Sequence, residues 1–143
     1  MKSILITGAG SYIGASLENY LGKWPENYRV DSLDMRGTDW ESHSFCGYDA
    51  VFHVAGLVHQ PDSKNDPASS GLYDQVNHIL AVRTAEKAKA DGVGQFLFMS
   101  SESVYGLTAP IGKTVVITKD TPLHPADNYG VSKARAEADL QAL

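Results

Sequence analysis

The chain has 143 residues, 43% hydrophobic and 20% charged, a balance that suits one globular domain and excludes a disordered or fibrous chain. Lys and Arg number 12 against 17 Asp and Glu, leaving a net charge of -5 and excluding a basic grip on nucleic acid. Cys46 is the single cysteine, which excludes an internal disulfide and a cysteine-based metal cluster; it reads as a small, inert, semi-buried residue.

In chain order, residues 4–7 are apolar and β-branched, the pattern of a buried parallel strand. Ile13, Leu17, Tyr20 and Leu21 recur at helical spacing and predict a helix over 12–21, ended by Gly22 and Pro25. Strands follow over 28–34 and 49–55. Residues 58–71 are polar, contain Pro61 and Pro67, and read as a loop. A helix is predicted over 72–90, where Ala81, Ala85, Ala88 and Ala90 permit close packing, and a buried strand over 95–100. A second loop carries Pro110, Pro122 and Pro125, with a short β-like run at 114–118. The last helix starts near Asn128 and reaches Leu143 without a glycine or asparagine stop, which predicts a chain cut from a longer protein. No signal peptide and no membrane-length apolar stretch is seen, so the expectation is a cytoplasmic protein with no membrane partner.

Apolar strands alternating with helices predict an α/β fold, a doubly wound parallel sheet of the Rossmann-like kind, over residues 1–143. Two motifs give it chemistry. The first is Thr7-Gly8-Ala9-Gly10-Ser11-Tyr12-Ile13-Gly14, placed after the first strand and opening the first helix. Gly8 suits a tight turn, Gly10 a close approach of backbone to pyrophosphate, and Gly14 close packing of helix on sheet. The helix N-terminus offers N–H groups and a positive dipole end to phosphate. Asp34 lies 20 residues after Gly14, placed to accept hydrogen bonds from adenosine ribose hydroxyls. A carboxylate there repels a 2′-phosphate, so NAD is favoured over NADP, which Arg36 keeps open. The second motif pairs Ser100-Ser101-Glu102-Ser103 at a strand end with Tyr129-Gly130-Val131-Ser132-Lys133. Tyr129 and Lys133, four apart, share one helical face, where an ammonium favours the phenolate and tunes it as a general acid or base.

Together these motifs resemble the extended short-chain dehydrogenase/reductase family, the NAD-dependent epimerases and dehydratases, above all the UDP-sugar 4-epimerases. The further landmarks are Asp49-Ala50-Val51-Phe52-His53-Val54-Ala55-Gly56 and Asn77. The resemblance implies Ser101, Tyr129 and Lys133 as catalytic residues. It implies that Gly8, Gly10, Ser11, Tyr12, Ile13, Gly14, Asp34, Asp39, Trp40, Ala55, Gly56, Asn77, Tyr129 and Lys133 contact the cofactor, with Asp39 and Trp40 bracketing adenine and Asn77 structural or cofactor-contacting. His53 is a sheet residue of the pattern. His43, His59, His78 and His124 read as solvated or structural. No metal is implied.

Three departures are visible. Glycine falls at Gly10 where the family usually has it at the position of Ser11, Val58 replaces a lysine common in sugar epimerases, and Glu102-Ser103 lacks the second carboxylate of sugar dehydratases. The resemblance implies a nucleotide-sugar substrate, a homodimer formed through the helices near Leu72 and Asn128, and a C-terminal substrate domain that this chain lacks. The expected activity is epimerisation by transient hydride transfer to NAD. Reduction of a keto-sugar or other carbonyl by NAD(P)H is the alternative, and a non-catalytic dinucleotide-binding sensor or inactive fragment is the reading of another class.

Overall fold

Lys2–Thr7 forms β1, a central strand of a four-stranded parallel sheet, in a computed structural model that describes residues 1–58 and 67–143, the side chains of residues 67 and 68 apart. The other elements are α1 (Tyr12–Leu21), β2 (Tyr28–Leu33), β3 (Ala50–His53), α2 (Pro67–Tyr73), a π-helical turn (Asp74–Ile79), α3 (Leu80–Ala90), β4 (Gln95–Phe98) and α4 (Asn128–Ala142). Short 3-10 turns occupy Asp39–Ser42 and Glu102–Tyr105. The chain divides into two units, residues 1–56 with 80–99 and residues 57–79 with 100–143.

The first unit holds the sheet, ordered β2-β1-β3-β4 and parallel throughout. The order reverses on either side of β1, so the carboxyl ends of β1 and β3 flank the switch point where such sheets take ligands. β1 alternates between two packed faces. Leu5 joins Met35, Trp40, Phe45, Val51 and Ala88 in one apolar core, whereas Ile6 packs toward Gly14 of α1. The outer strands β2 and β4 alternate half-buried with exposed positions, so they are less apolar in use than the sequence reading held. Ala81, Ala85 and Ala88 of α3 are buried, as expected for a closely packed helix, while Ala90 is exposed.

β1 ends at Thr7 as predicted, whereas β2, β3 and β4 stop earlier than predicted, and the hydrogen bonds at the ends of β1 and β3 show why. The Leu33 carbonyl accepts from the N–H groups of Gly8 and Ala9 at 2.9 and 3.0 Å, which turns the chain out of β1 beside the end of β2. Val54 and Ala55 both donate to the Thr7 carbonyl at 2.9 Å, which ends the β3 ladder at His53. His53 itself is fully buried, bonded through Nδ1 to Thr7 Oγ1 at 2.8 Å and stacked on Phe96 and Phe98.

The second unit has a polar interior. Among the described residues Tyr73, Val104 and Ala136 are its buried apolar ones, and Asn77, Ser132 and Lys133 are buried with them. Asp127, extended at φ -140°, caps α4 by accepting from the Gly130 N–H at 2.7 Å. Two predictions fail here. The helix predicted from residue 72 begins at Pro67, because a proline in the first helical turn gives up an N–H that has no intrahelical partner anyway. The β-like run at 114–118 forms no strand: its residues are exposed, and β-propensity without a partner strand makes no ladder. Most of the predicted polar loop, with His59 and Pro61, falls on residues 59–66, outside the described residues. In the first unit, Cys46 is exposed rather than semi-buried.

Candidate functional site

The glycine loop sits at the carboxyl end of β1. Gly8 has φ +123°, and a Cβ there would stand 2.6 Å from the Ala55 nitrogen, so the loop lies flush against the segment leaving β3. Gly10 has φ +78° with open space where a Cβ would project, the clearance that a phosphate approaching the backbone needs. Ser11 caps α1, its Oγ accepting from the Gly14 N–H at 3.1 Å. The hydroxyl expected to substitute for a family glycine therefore organises the helix N-terminus. Tyr12 and Ile13 are exposed beside it. Ala55 is half-buried and Gly56 exposed after β3. The elements needed to hold a pyrophosphate are present: a bare glycine backbone, a capped helix N-terminus and a flush neighbouring strand.

Asp34 lies one residue past β2. Its carboxylate accepts from the Arg36 guanidinium at 2.5 to 3.0 Å and from the Arg36 backbone N–H at 3.0 Å. Arg36 holds the Asp34 carboxyl down at about 2, so it is fully ionised at neutral pH. Arg36 thus occupies the carboxylate that the ribose reading assigns to hydroxyls. Asp39 is exposed, but Trp40 is only 3% exposed, packed in the core under the Arg83 guanidinium, which also pairs with Glu41 at 3.0 Å. The indole is thereby committed to packing, and any adenine contact of this pair falls to Asp39.

In the second unit Ser101 caps the turn Glu102–Tyr105, its Oγ accepting from the Ser103 N–H and donating to the Ser103 Oγ, both at 3.2 Å. Tyr129 and Lys133 lie on the first turns of α4, with the Lys133 Nζ 6.0 Å from the Tyr129 ring centroid. Tyr129 also meets Tyr73 edge-on, centroids 6.4 Å apart. Burial pushes the Lys133 ammonium down to about 8, against an opposing pull from the Glu137 carboxylate. The lysine is thus poised close to neutral pH, an effect on Lys133 itself that the sequence reading of the pair did not foresee.

Asn77 is fully buried. Its Oδ1 accepts from the Leu57 N–H at 2.7 Å, and its Nδ2 donates to the Leu57 carbonyl and to Ser132 Oγ, both at 3.1 Å. Ser132 in turn donates to the Tyr129 carbonyl at 2.7 Å. Every hydrogen-bonding group of the amide is engaged within the protein, so Asn77 braces the helix that carries Tyr129. His78 likewise joins a polar cluster. Its Nδ1 meets Asp74 at 3.0 Å and its Nε2 meets Asp139 at 2.6 Å, while Arg135 bonds Asp74 at 3.0 Å. His43 and His124 are exposed.

Sequence reasoning missed four residues that shape this region. Asp127 is an acid directly before the helical run, the ordinary N-cap signal. Gly130 lets α4 meet the Ser101 turn, since a Cβ there would stand 2.5 Å from the Ser103 carbonyl oxygen. Ser132 carries the bond between Asn77 and Tyr129. Glu137, one helical turn after Lys133, accepts a hydrogen bond from Ser100 Oγ. Only the first and last had a signal in spacing.

Residues 4–143 match the model of the NAD dependent epimerase/dehydratase family. A GDP-6-deoxy-D-mannose reductase of Pseudomonas aeruginosa is 32% identical over 147 residues, an alignment covering 96% of this chain and 45% of the reductase. A UDP-glucose 4-epimerase of Vibrio cholerae is 32% identical over 159 residues, covering 99% of this chain and 47% of the epimerase. The structure of MoeE5 in complex with UDP-glucose and NAD superposes with a TM-score of 0.78 at 27% identity, covering 98% of this chain and 48% of that one. The chain therefore spans just under half the length of these curated relatives. No helix among the described residues is long and apolar enough to cross a membrane.

Proposed function

Because the chain belongs to the NAD dependent epimerase/dehydratase family, we propose that it carries the dinucleotide-binding and proton-transfer residues of a cytoplasmic nucleotide-sugar 4-epimerase. The observation that carries this reading is the pairing of Tyr129 with a nearly buried Lys133 on the first turns of α4. Gly8, Gly10 and the N–H groups opening α1 would hold the pyrophosphate of NAD, and Asp34 the adenosine ribose, with Arg36 displaced from it. When bound, NAD supplies hydride acceptance and return. Tyr129 would take the proton from the sugar hydroxyl as the carbon bearing it is oxidised to the ketone. Ser101 would donate a hydrogen bond to that oxygen as its charge changes, and Lys133 would set a positive charge beside Tyr129. Tyr129 would hand the proton back to the same oxygen when the ketone is reduced on its other face, which would give the epimer. MoeE5, with its UDP-glucose and NAD, and the Vibrio cholerae epimerase support this substrate class.

The second reading, reduction of a keto-sugar with net consumption of NAD(P)H, is favoured by the similarity to the GDP-6-deoxy-D-mannose reductase. Calorimetric titration with NAD and NADP tests the cofactor half. The expected result is preference for NAD and roughly tenfold weaker binding in Asp34→Asn. Failure of the folded chain to bind either dinucleotide would remove the proposal. Adding UDP-glucose to the NAD-loaded chain tests the rest: reduced nicotinamide that appears, is not released, and is abolished by Tyr129→Phe supports epimerisation, whereas steady oxidation of added NADH by a keto-sugar supports reduction. A homodimer through the helices near Leu72 and Asn128 is also proposed. Leu72 is about half exposed, and sedimentation of the chain as a monomer at high concentration would exclude the pairing.

A further inference from the structure

We infer that Glu137 is a positioning residue of the proposed site: its carboxylate holds the Ser100 hydroxyl next to Ser101 and sets a negative charge one helical turn beyond Lys133. The inference rests on the assignment of Ser101, Tyr129 and Lys133 made above. Glu137 lies half-buried on α4, four residues after Lys133, so the two side chains share a face of the helix. That face is the packed one, for Gly130, Ser132, Lys133 and Ala136 are all buried.

Two separate duties converge on this carboxylate. The first is mechanical. Ser100 Oγ donates to Glu137 Oε1, and Ser100 is the residue from which the chain enters the Ser101-capped turn. The bond therefore fixes the entry to that turn against the helix that carries Tyr129, and Gly130 closes the other side against the Ser103 carbonyl. The second is electrostatic. A lysine 4% exposed loses most of its hydration, and a neighbouring carboxylate keeps the ammonium charged. Glu137 is the charge that opposes the effect of burial on Lys133. Of the other acids described nearby, Asp74 is engaged by His78 and Arg135, Asp139 by His78 and Asp127 by the Gly130 N–H, while Glu102, on the turn after Ser101, is exposed to solvent. One side chain thus connects the orientation of the Ser101 turn with the charge state of Lys133.

The test follows Lys133 by NMR of its side-chain methylene next to the ammonium in the intact chain, assigned by its loss in Lys133→Met. Amide hydrogen exchange at Ser101 and Ser103 is read on the same samples. Glu137→Gln keeps an oxygen for Ser100 but removes the charge. The expected result is a Lys133 midpoint lower by about one unit, a tenfold loss of proton affinity, with exchange at Ser101 and Ser103 changed less than about twofold. Ser100→Ala removes the bond and leaves the charge. Exchange at Ser101 and Ser103 should rise about fivefold or more while Lys133 keeps its midpoint. An unmoved midpoint in Glu137→Gln, or unmoved exchange in Ser100→Ala, overturns the inference. If Glu137→Gln does not fold, Glu137→Asp takes its place: the charge, drawn back by one methylene, should lower the midpoint by about half a unit, and no fall overturns the inference. NAD affinity measured on the wild-type chain reports on the proposed function separately, since neither readout requires the dinucleotide to bind.

Discussion

Each of the two units of this chain has its own interior, and the two interiors are built by different means. In the first, apolar residues dominate: Leu5, Met35, Trp40, Phe45, Val51 and Ala88 pack into one cluster around the sheet, with Thr7, His53 and Thr84 as the polar residues buried beside it. In the second, the buried centre includes an amide, a hydroxyl and an ammonium, from Asn77, Ser132 and Lys133. The first kind of interior is non-directional and tolerates exchange among residues of similar volume. The second depends on each donor finding its acceptor, so removing one partner of a bond such as Asn77 to Ser132 leaves the other unpaired. The candidate dinucleotide loop belongs to the apolar unit and the candidate proton-transfer residues to the polar one. The contrast teaches that the part expected to move protons has given up a dry core for a wired one.

Substitutions can break that contrast, and Leu5→Ala should have the largest effect. It should cost about 3 kcal/mol or more in chemical denaturation, with protection from hydrogen exchange lost across the sheet. A small cost would mean that the apolar cluster is not what secures the first unit. Lys133→Met should act in the opposite direction. The folded chain holds Lys133 near 8 against an ordinary 10.5, so its cation is penalised by folding at every pH below about 8. At pH 7 the methionine variant should be more stable by on the order of 3 kcal/mol, even as it loses any proton-transfer role. The advantage should shrink as pH rises from about 8 to 10.5, where unfolded lysine also loses its proton. An advantage that does not depend on pH would mean that packing, and not charge, explains it.

Smaller effects sharpen the polar side of the comparison. Asn77→Leu would leave the Leu57 N–H and carbonyl without the bonds they now make to the amide, at an expected cost of about 2 kcal/mol. If denaturation instead shows the variant as stable as the parent, the second unit does not need its polar wiring. The smallest effect concerns His78. Burial disfavours its cation, but Asp139 and Asp74 outweigh burial and hold its pKa above the ordinary 6.5. Its stabilisation is therefore complete below about 6.5 and fades as pH rises through the raised value. Protection of the Asn77 and Ile79 amides, corrected for the intrinsic rise of exchange with pH, should fall modestly on going from pH 6 to pH 9, and that fall should flatten in His78→Asn.

Legibility followed the same division. Hydrophobic periodicity located α1 to the residue, found every strand of the sheet within a few positions, and placed the glycine loop at the end of β1. It worked because an apolar core writes itself into spacing along the chain. The family resemblance came from short local motifs, and these too survive as neighbours in sequence. What escaped was long-range and polar. Asn77 meets Ser132 across 55 residues, and Ser100 meets Glu137 across 37, separations over which no pattern of spacing operates. The burial of Trp40 was not legible either, because an aromatic beside an acid looks the same whether it faces a ligand or a core. The run at 114–118 misled because β-branched residues promise a strand only if a partner edge exists.

The π-helical turn at Asp74–Ile79 has one more consequence. A π turn amounts to one residue more than the regular helix would need, accommodated without breaking the rod. That surplus residue works as a phase setting. Deleting Gln75 would let the turn relax to ordinary α-helix, drawing Asn77 along the axis and turning it by roughly 30° relative to Tyr73. Composition, length of core and net charge would hardly change. Yet the amide would leave Leu57 and Ser132, and the helix carrying Tyr129 would lose its brace. The region can thus be detuned by a single-codon deletion that leaves the glycine loop and Ser101, Tyr129 and Lys133 intact, so a search confined to those residues would pass over it.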